Sequence, residues 1–482
     1  MKLQQLLRCV PVLRGDLEDP GQEIPVISHR SDSDFRGGLF IALRGQKQDG
    51  NRFVEDAAHH GAHYVITDCD IPPCSLHVIR VPDARVAMAR IWSNYYENPA
   101  DEMRMVGVTG TNGKTTTTYM LQAILQEAGY KTGMIGTVNG AMTTPDPEEL
   151  YRRLRQMADT GTQFVAMEAS SHALCYGKLD PIRFECGIFT NLTPEHLDFH
   201  GTMEAYRDAK AILFTHTKQA YFNYDDLYGR QLYSEAFCDK YYYSAQNFAA
   251  DYHAGNIRDL GVDGVEYHLF CTDMLFRITS RIPGDFTVYN TMAAAACARG
   301  LGIHPRKIRT ALQKMTGVPG RMQRVPIPQH DFAVFIDFAH TPDALEKLLR
   351  TVRRWMTEEQ RLIVLFGCGG DRDRSKRPVM GSIATRLADV TVLTSDNSRS
   401  EDPRVILEEI LRGVDPNAHF RVICDRREAI VHCIEHARPG DVILLAGKGH
   451  EDYEITAKGK FPFCERDIVL QAAKRRMYRE NE

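Results

Sequence analysis

At 482 residues, with 43% hydrophobic and 25% charged side chains, the chain is long enough for about three domains, each burying its own core, and its composition excludes disordered, collagenous and membrane-embedded classes. A net charge of −4 without a Lys/Arg block argues against nucleic-acid binding. No apolar run is long enough to span a membrane, and no signal peptide is expected at the start. Twelve cysteines without a CxxC pair suit reduced thiols in a cytoplasmic protein.

In chain order, residues 1–97 read as a mixed α/β domain. Strands are expected at 26–28, 39–43 and 64–67, with a turn at Asp49-Gly50 and a helix over 53–60 ended by Gly61. Asn98-Pro99 marks a boundary, and 98–316 reads as a central doubly wound α/β domain. Apolar runs at 164–167 and 186–190 are candidate parallel strands, and 119–128 is an amphipathic helix stopped by Gly129. The stretch 251–282 alternates like a small antiparallel insertion, followed by an Ala-rich helix over 290–300. Gly317-Val318-Pro319-Gly320 reads as a hinge into a third domain, 317–482, of Rossmann-like βαβ character. Its strands are expected at 332–336, 362–366, 390–393 and 442–445, and its helices at 343–356 and 404–412.

The chemistry starts at 106–118, VGVTGTNGKTTTT. A short buried strand runs into a turn from Gly110 to Gly113 (with Thr111 and Asn112), then into Lys114 and a Thr run that opens a helix. Glycines let backbone N–H groups curl around phosphate oxygens, the helix N-terminus adds its positive end, Lys114 supplies charge, and Thr115 offers a hydroxyl to Mg²⁺. Val108 stands where the usual phosphate-loop pattern has its first glycine. Three further stretches close apolar runs with polar groups: Met167-Glu168-Ala169-Ser170-Ser171-His172, the segment 190–201 containing His196, and Tyr206 to Lys210. Glu168 and His196 are candidate ligands for a divalent ion beside nucleotide phosphates. Each alone is equally well read as a satisfied core or capping residue.

Taken in order, GTNGKTT, MEASSHAL, TNLTPEHLDFHG, YRDAK, GRMQ, DFAHTPDALEKLL, FGCGGDRDRSKRPVMG, SDNSRSEDP and AGKGHEDYEI resemble the Mur ligase family, and within it the MurE branch of UDP-N-acetylmuramoyl-tripeptide synthetases. The resemblance implies a three-domain α/β ligase with an N-terminal domain for the UDP-sugar-peptide, a central P-loop ATPase domain and a C-terminal domain for the amino acid. ATP would phosphorylate a carboxylate, and an amine would displace phosphate to give an amide. By match to the family, Gly110, Thr111, Asn112, Gly113, Lys114, Thr115 and Thr116 would hold ATP, with Asn290 at the adenine and Arg321 and Asp337 contributed near the hinge. Thr115, Glu168, His196 and Lys210 would serve Mg²⁺, with Lys210 carried as a carbamate, and Lys114, Lys210 and His196 would be catalytic. The amine would be a diamino acid, meso-diaminopimelate, met by Arg372, Asn397, Arg399, Gly447 and Glu451; Ser398 replaces the proline of the usual Asp-Asn-Pro-Arg motif. A lysine-adding enzyme would have no use for Arg399, whose planar fork suits a second carboxylate. A monomer acting on a soluble UDP-MurNAc-dipeptide is implied, with no nucleic-acid or membrane partner.

The expected donor residues are Ser31, Thr143, Thr144, Ser170, Tyr176 and Lys178, and here the chain departs from the family. The usual Asp-Ser-Arg is replaced by Arg30-Ser31-Asp32, or by Asp32-Ser33-Asp34 on a gapped alignment; either way the arginine is lost. Tyr176 and Lys178 stand for a glutamine and an arginine, Met142 for an asparagine before Thr-Thr, and Thr287 for another asparagine. Ordinary divergence and a paralogue using a different carboxylate donor both fit these changes. A ligase that adds glutamate to a folate or peptide and a non-catalytic nucleotide-binding regulator are the competing readings outside the branch.

Overall fold

The computed structural model describes residues 1–15, 19–45, 48–137, 142–327 and 329–480. It is an α/β protein built of parallel-rich sheets, and the chain divides into two compact units. The first comprises 1–251 with 293–304, and the second 252–292 with 305–482.

The first unit holds two sheets. Strands β1 (Arg14–Gly15), β2 (Ile27–Ser28), β3 (Leu39–Ile41), β4 (Tyr64–Thr67) and β5 (His77–Arg80) run in the order β1-β5-β4-β3-β2, parallel except for β1. The apolar runs at 39–41 and 64–67 are buried throughout, as expected of strands covered on both faces. Strands β6 (Arg104–Thr109), β7 (Thr132–Ile135), β8 (Phe164–Glu168), β9 (Phe184–Phe189), β10 (Thr217–Asn223) and β11 (Asp239–Ser244) follow, in the order β11-β10-β9-β6-β8-β7 and all parallel. Because every strand points the same way, the carboxyl ends of β6, β8 and β9 share one edge. The strand order reverses around β6, and such a switch point leaves a crevice for a ligand.

In the second unit, β12 (Tyr252–Asp259), β13 (Val265–Cys271) and β14 (Leu275–Ser280) form the expected antiparallel meander. Strands β15 (Gln323–Val325), β16 (Ala333–Asp337), β17 (Leu362–Phe366), β18 (Val390–Leu393), β19 (Phe420–Val422) and β20 (Val442–Ala446) form a sheet in the order β15-β16-β20-β17-β18-β19, parallel except for β15. Its central strands β16, β17 and β20 are buried throughout and feed a separate core on each face. Phe335, Val364 and Leu444 belong to one, and Val334, Leu365 and Ile443 to the other. A hairpin, β21 (Tyr453–Thr456) and β22 (Gly459–Pro462), precedes the last helix.

One buried ionic knot organises the loops after β17 and β18. The guanidinium of Arg377, fully buried on helix Lys376–Leu387, donates to Glu401 at 2.9 Å through both Nη atoms, to Glu409 at 2.7 Å and to the Gly369 carbonyl at 3.2 Å. Glu401 also accepts from the Asp371 N–H at 2.6 Å. Hydrogen bonds from Arg377, joined by the Asp371 amide, hold the Glu401 carboxyl down at about 2. A depressed carboxyl stabilises the fold above its ordinary value near 4.5, and that contribution disappears as pH falls towards 2. Glu401→Gln is therefore expected to destabilise this unit by about 3 kcal/mol at neutral pH. The gap from wild type in thermal unfolding should close between about pH 4.5 and pH 2; a gap independent of pH would refute the ion pair's role.

Candidate functional site

The loop after β6 is built to lie tightly against the end of β9. Gly110 adopts φ +144°, and a Cβ there would stand 1.9 Å from the Thr190 hydroxyl, so no larger residue fits. Thr111 N–H donates to the Asn191 carbonyl at 2.8 Å, and Asn112 N–H to the Asn191 side chain at 3.0 Å. Thr190 Oγ1 and Asn191 Nδ2 donate back to the Asn112 carbonyl at 2.6 and 3.1 Å. Helix Lys114–Glu127 then begins, with Thr115 buried and Thr116 half-buried in its first turn.

Two lysines converge on this loop. Lys114 Nζ donates to the carbonyls of Gly110 and Thr111 at 2.9 and 2.8 Å, and Lys210 Nζ donates to the same Gly110 carbonyl at 2.8 Å. Lys210, on helix Met203–Thr215, is 1% exposed and lies 4.4 Å from the Tyr206 ring centre. Burial, reinforced by the Lys114 charge, pushes the Lys210 ammonium well below its ordinary value. A buried amine beside a second cation favours its neutral form.

Glu168 closes β8, paired in register with Val108 just before the loop. Its carboxylate accepts from Thr115 Oγ1 at 2.9 Å and from Thr137 N–H at 2.8 Å. Thr115 and Glu168 thus place a hydroxyl and a carboxylate oxygen side by side next to the phosphate loop. That hard-oxygen pair fits Mg²⁺, which takes one or two protein oxygens and completes its shell with phosphates and water. His196 has φ +55° and packs edge-on against His172, with ring centres 4.9 Å apart. Among the described residues no group of three His, Cys, Asp or Glu side chains forms a metal cage.

The expected donor residues fall into two groups. Thr144 Oγ1 donates to the Glu168 carbonyl at 2.9 Å and lies 3.2 Å from Ser170 Oγ, while Thr143 Oγ1 lies 3.2 Å from Thr137 Oγ1, so these residues line the approach to Glu168. Ser31, Tyr176 and Lys178 instead line a cavity of about 510 Å³, together with Arg30, Asp32, Arg85 and Asp146. The charged and aromatic side chains of this wall hold one another. Arg30 forks onto Asp32 at 3.1 and 3.0 Å, Lys178 meets Asp146 at 2.6 Å, and the Arg85 guanidinium lies 4.2 Å over the Tyr176 ring. Of the two serines the alignments leave open, Ser31 lines the cavity, whereas Ser33 donates to Ser28 at 2.9 Å. Thr287 is buried and donates to the Pro283 carbonyl at 3.1 Å.

In the second unit, the loops after β17, β18 and β20 carry the expected acceptor residues. Asn397 is oriented without ambiguity: Lys448 Nζ and Ile455 N–H donate to its Oδ1 at 3.0 and 2.9 Å, and its Nδ2 donates to Glu451 at 2.8 Å. Lys448 is wholly buried, with Asp396 and Glu451 at 3.7 and 3.9 Å. Gly447 has φ +116°, and a Cβ on it would stand 2.6 Å from Asp396 Oδ2. Arg399, at φ +50°, donates through Nη1 to the Gly370 carbonyl at 2.7 Å. Arg399 Nη1 and Arg372 Cγ both lie beside Gly369, where a Cβ would stand 2.9 and 3.8 Å from them. Asp337 ends β16 and accepts from the N–H groups of Met322 and Ala339 at 2.9 Å; burial raises its carboxyl, opposed by the Arg321 charge. Asn290 is buried in helix Asp285–Gly300.

Asn191, Thr190, Asp146, Arg85, Lys448 and Asp396 join these sites without being legible there in the sequence. Asn191, Thr190, Asp396 and Lys448 stand inside family motifs, but what they do depends on distances that no local pattern carries.

Comparison with known proteins converges on one family. The Mur ligase middle domain matches residues 108–298, and the Mur ligase, glutamate ligase domain matches 320–449. The chain is 41% identical to the UDP-N-acetylmuramoyl-L-alanyl-D-glutamate--2,6-diaminopimelate ligase of Caldanaerobacter subterraneus, over 96% of this chain and 98% of that one. It is 39% identical to the corresponding ligase 1 of Clostridium acetobutylicum, over 98% and 99%. A solved structure of a protein with that same ligase name superposes with a TM-score of 0.71 at 32% identity, covering 99% of both chains. MurF from Acinetobacter baumannii, at 18% identity and a TM-score of 0.58 over 98% of both chains, shares the fold. The chain belongs to the Mur ligase family.

Proposed function

We infer that this protein is an ATP-dependent ligase that joins a diamino acid, meso-diaminopimelate, to UDP-MurNAc-L-Ala-D-Glu in the making of a peptidoglycan precursor. The observation that carries the reading is the phosphate loop with Thr115 and Glu168 paired beside it at 2.9 Å, in a chain so similar to ligases of that name. The γ-phosphoryl group of ATP passes to the donor carboxylate and ADP leaves. The amine then attacks the acyl carbon, the C–N bond forms, phosphate departs, and the amine's proton is released.

Lys114 and the loop N–H groups hold the phosphates in line. Thr115 and Glu168 are the residues that would hold Mg²⁺, which neutralises phosphate charge when bound. His196 completes that set in the family. Lys210 as a carbamate would add an anion, and its burial as an amine supports the modification, because only a neutral amine condenses with CO₂. Arg399 and Arg372 receive the distal carboxylate of the amino acid, and Glu451, aimed by Asn397, receives its ammonium. Asn290, Arg321 and Asp337 are the further ATP contacts of this reading, and Thr143, Thr144 and Ser170 guide the donor towards Glu168.

The same ligation on a different carboxylate donor is a second reading, favoured by Tyr176, Lys178 and the lost arginine around the 510 Å³ cavity. One experiment separates the two. Purified protein with ATP and Mg²⁺ is offered UDP-MurNAc-L-Ala-D-Glu and a panel of amino acids, with phosphate release and product mass as readouts. Phosphate release that needs both donor and diaminopimelate, with the matching tripeptide mass, is expected. No product with any amine would overturn the first reading in favour of the second.

A further inference from the structure

The cavity that carries Ser31 and Tyr176 contains three cationic side chains, Arg30, Arg85 and Lys178, and each is already engaged by another group of the cavity wall. Lys178 is more sheltered than its charged neighbours Asp146 and Arg30. Its side chain is 15% exposed, against 54% for its partner Asp146 and 71% for Arg30. Its backbone is pinned as well: Lys178 N–H donates to the Ala173 carbonyl at 3.0 Å, and the Tyr151 hydroxyl donates to the Lys178 carbonyl at 3.2 Å. Lys178 is therefore the fixed member of the pair and Asp146 the member able to swing into water.

Asp146 also gives up the role its position offers. It is the N-cap of helix Pro147–Asp159, where an aspartate ordinarily accepts from the first-turn N–H groups, yet its side chain makes no cap hydrogen bond. Its Oδ1 accepts from Lys178 Nζ at 2.6 Å instead. A capping carboxylate diverted onto a sheltered lysine inside a ligand cavity occupies the place where an anionic oxygen of a ligand would sit.

We propose that Asp146 is a specificity-determining residue of the donor site: its carboxylate is an internal competitor for Lys178, and an anionic group of the donor enters by displacing it. The inference rests on the donor reading of this cavity given above. A neutral or poorly placed ligand cannot offset the loss of the ion pair, whereas a donor anion replaces one ion pair by another while Asp146 turns to solvent. The displacing group is an anionic oxygen, supplied either by a carboxylate or by the diphosphate.

Asp146→Asn removes the competitor and keeps the shape. It is expected to lower the KM for UDP-MurNAc-L-Ala-D-Glu about two- to five-fold, the range that a partly exposed ion pair commands, with the KM values for ATP and diaminopimelate unchanged. In a Lys178→Met background the same change should give no gain, since the coupling runs through that ammonium. Calorimetry identifies the source of the anion: tighter binding of UDP alone by Asp146→Asn assigns the diphosphate, and tighter binding of only the complete donor assigns the carboxylate. An unchanged or raised donor KM in Asp146→Asn, or a gain that survives Lys178→Met, overturns the proposal while leaving the ligase reading intact. Wild-type protein that neither binds nor turns over this donor overturns both.

Discussion

Lys114→Ala should lower ATP turnover by about two to three orders of magnitude with little change in thermal stability. Lys114 is the loop's own cation, and its ammonium is folded back onto the Gly110 and Thr111 carbonyls at 2.9 and 2.8 Å. Phosphate oxygens are stronger acceptors than those carbonyls, so the ammonium moves to them at modest cost. Phosphoryl transfer leaves a protein little covalent work; charge neutralisation and alignment provide the rate, and removing one cation that serves the transferred phosphoryl group costs about this much. Alanine is the best helix former, so the first turn of helix Lys114–Glu127 tolerates the change. The measurement is ADP formed with both donor and amine present, with a melting curve as the folding control. Turnover equal to wild type would remove Lys114 from the chemistry. Loss of turnover together with a collapsed melting temperature would instead make it structural, through the carbonyls it ties together.

How much of the fold and site is legible in the sequence depends on whether a feature is local. The strands at 64–67, 362–366 and 390–393 match to the residue, because a short β-branched run between turns has few alternatives when both faces are covered. The strands Thr217–Asn223 and Asp239–Ser244 are not legible, because polar residues interrupt their apolar pattern. Two-residue strands such as Arg14–Gly15 carry no pattern at all. The glycine loop and its lysine are legible for the same local reason as the short strands. The neighbour relations are not: Thr115 meets Glu168 only because β6 and β8 pair with Val108 opposite Glu168. Lys178 finds Asp146 across 32 positions, and Arg377 ties Gly369 to Glu401 from a helix of its own. Resemblance to a family assigns such residues roles without any distance, except where this chain departs from the family. That is where the cavity has rebuilt its own set of partners.

Arg399→Ala should raise the KM for diaminopimelate by at least about 30-fold while leaving the KM for ATP unchanged. The guanidinium is held rather than loose: Nη1 is anchored on the Gly370 carbonyl at 2.7 Å and on the Asn397 carbonyl at 3.4 Å. Among the described residues its side-chain hydrogen bonds run from Nη1, which leaves the Nε–Nη2 edge for a carboxylate. Truncating one member of a hydrogen-bonded charge pair costs about 2–5 kcal/mol, and the lower figure corresponds to the 30-fold change. Arg399→Lys separates charge from geometry. A lysine keeps the positive charge but has no planar fork, so most of the loss should remain. Backbone strain is controlled in the same comparison, because arginine, alanine and lysine must all adopt φ near +50° at this position. The discriminating readout is the preference for diaminopimelate over lysine, which differ by the distal carboxylate alone. Wild type should show a strong preference, and both variants should show little. Unchanged diaminopimelate kinetics in Arg399→Ala would mean that the carboxylate is received elsewhere, with Arg372, whose side chain lies beside Gly369 as Arg399 Nη1 does, as the next residue to truncate.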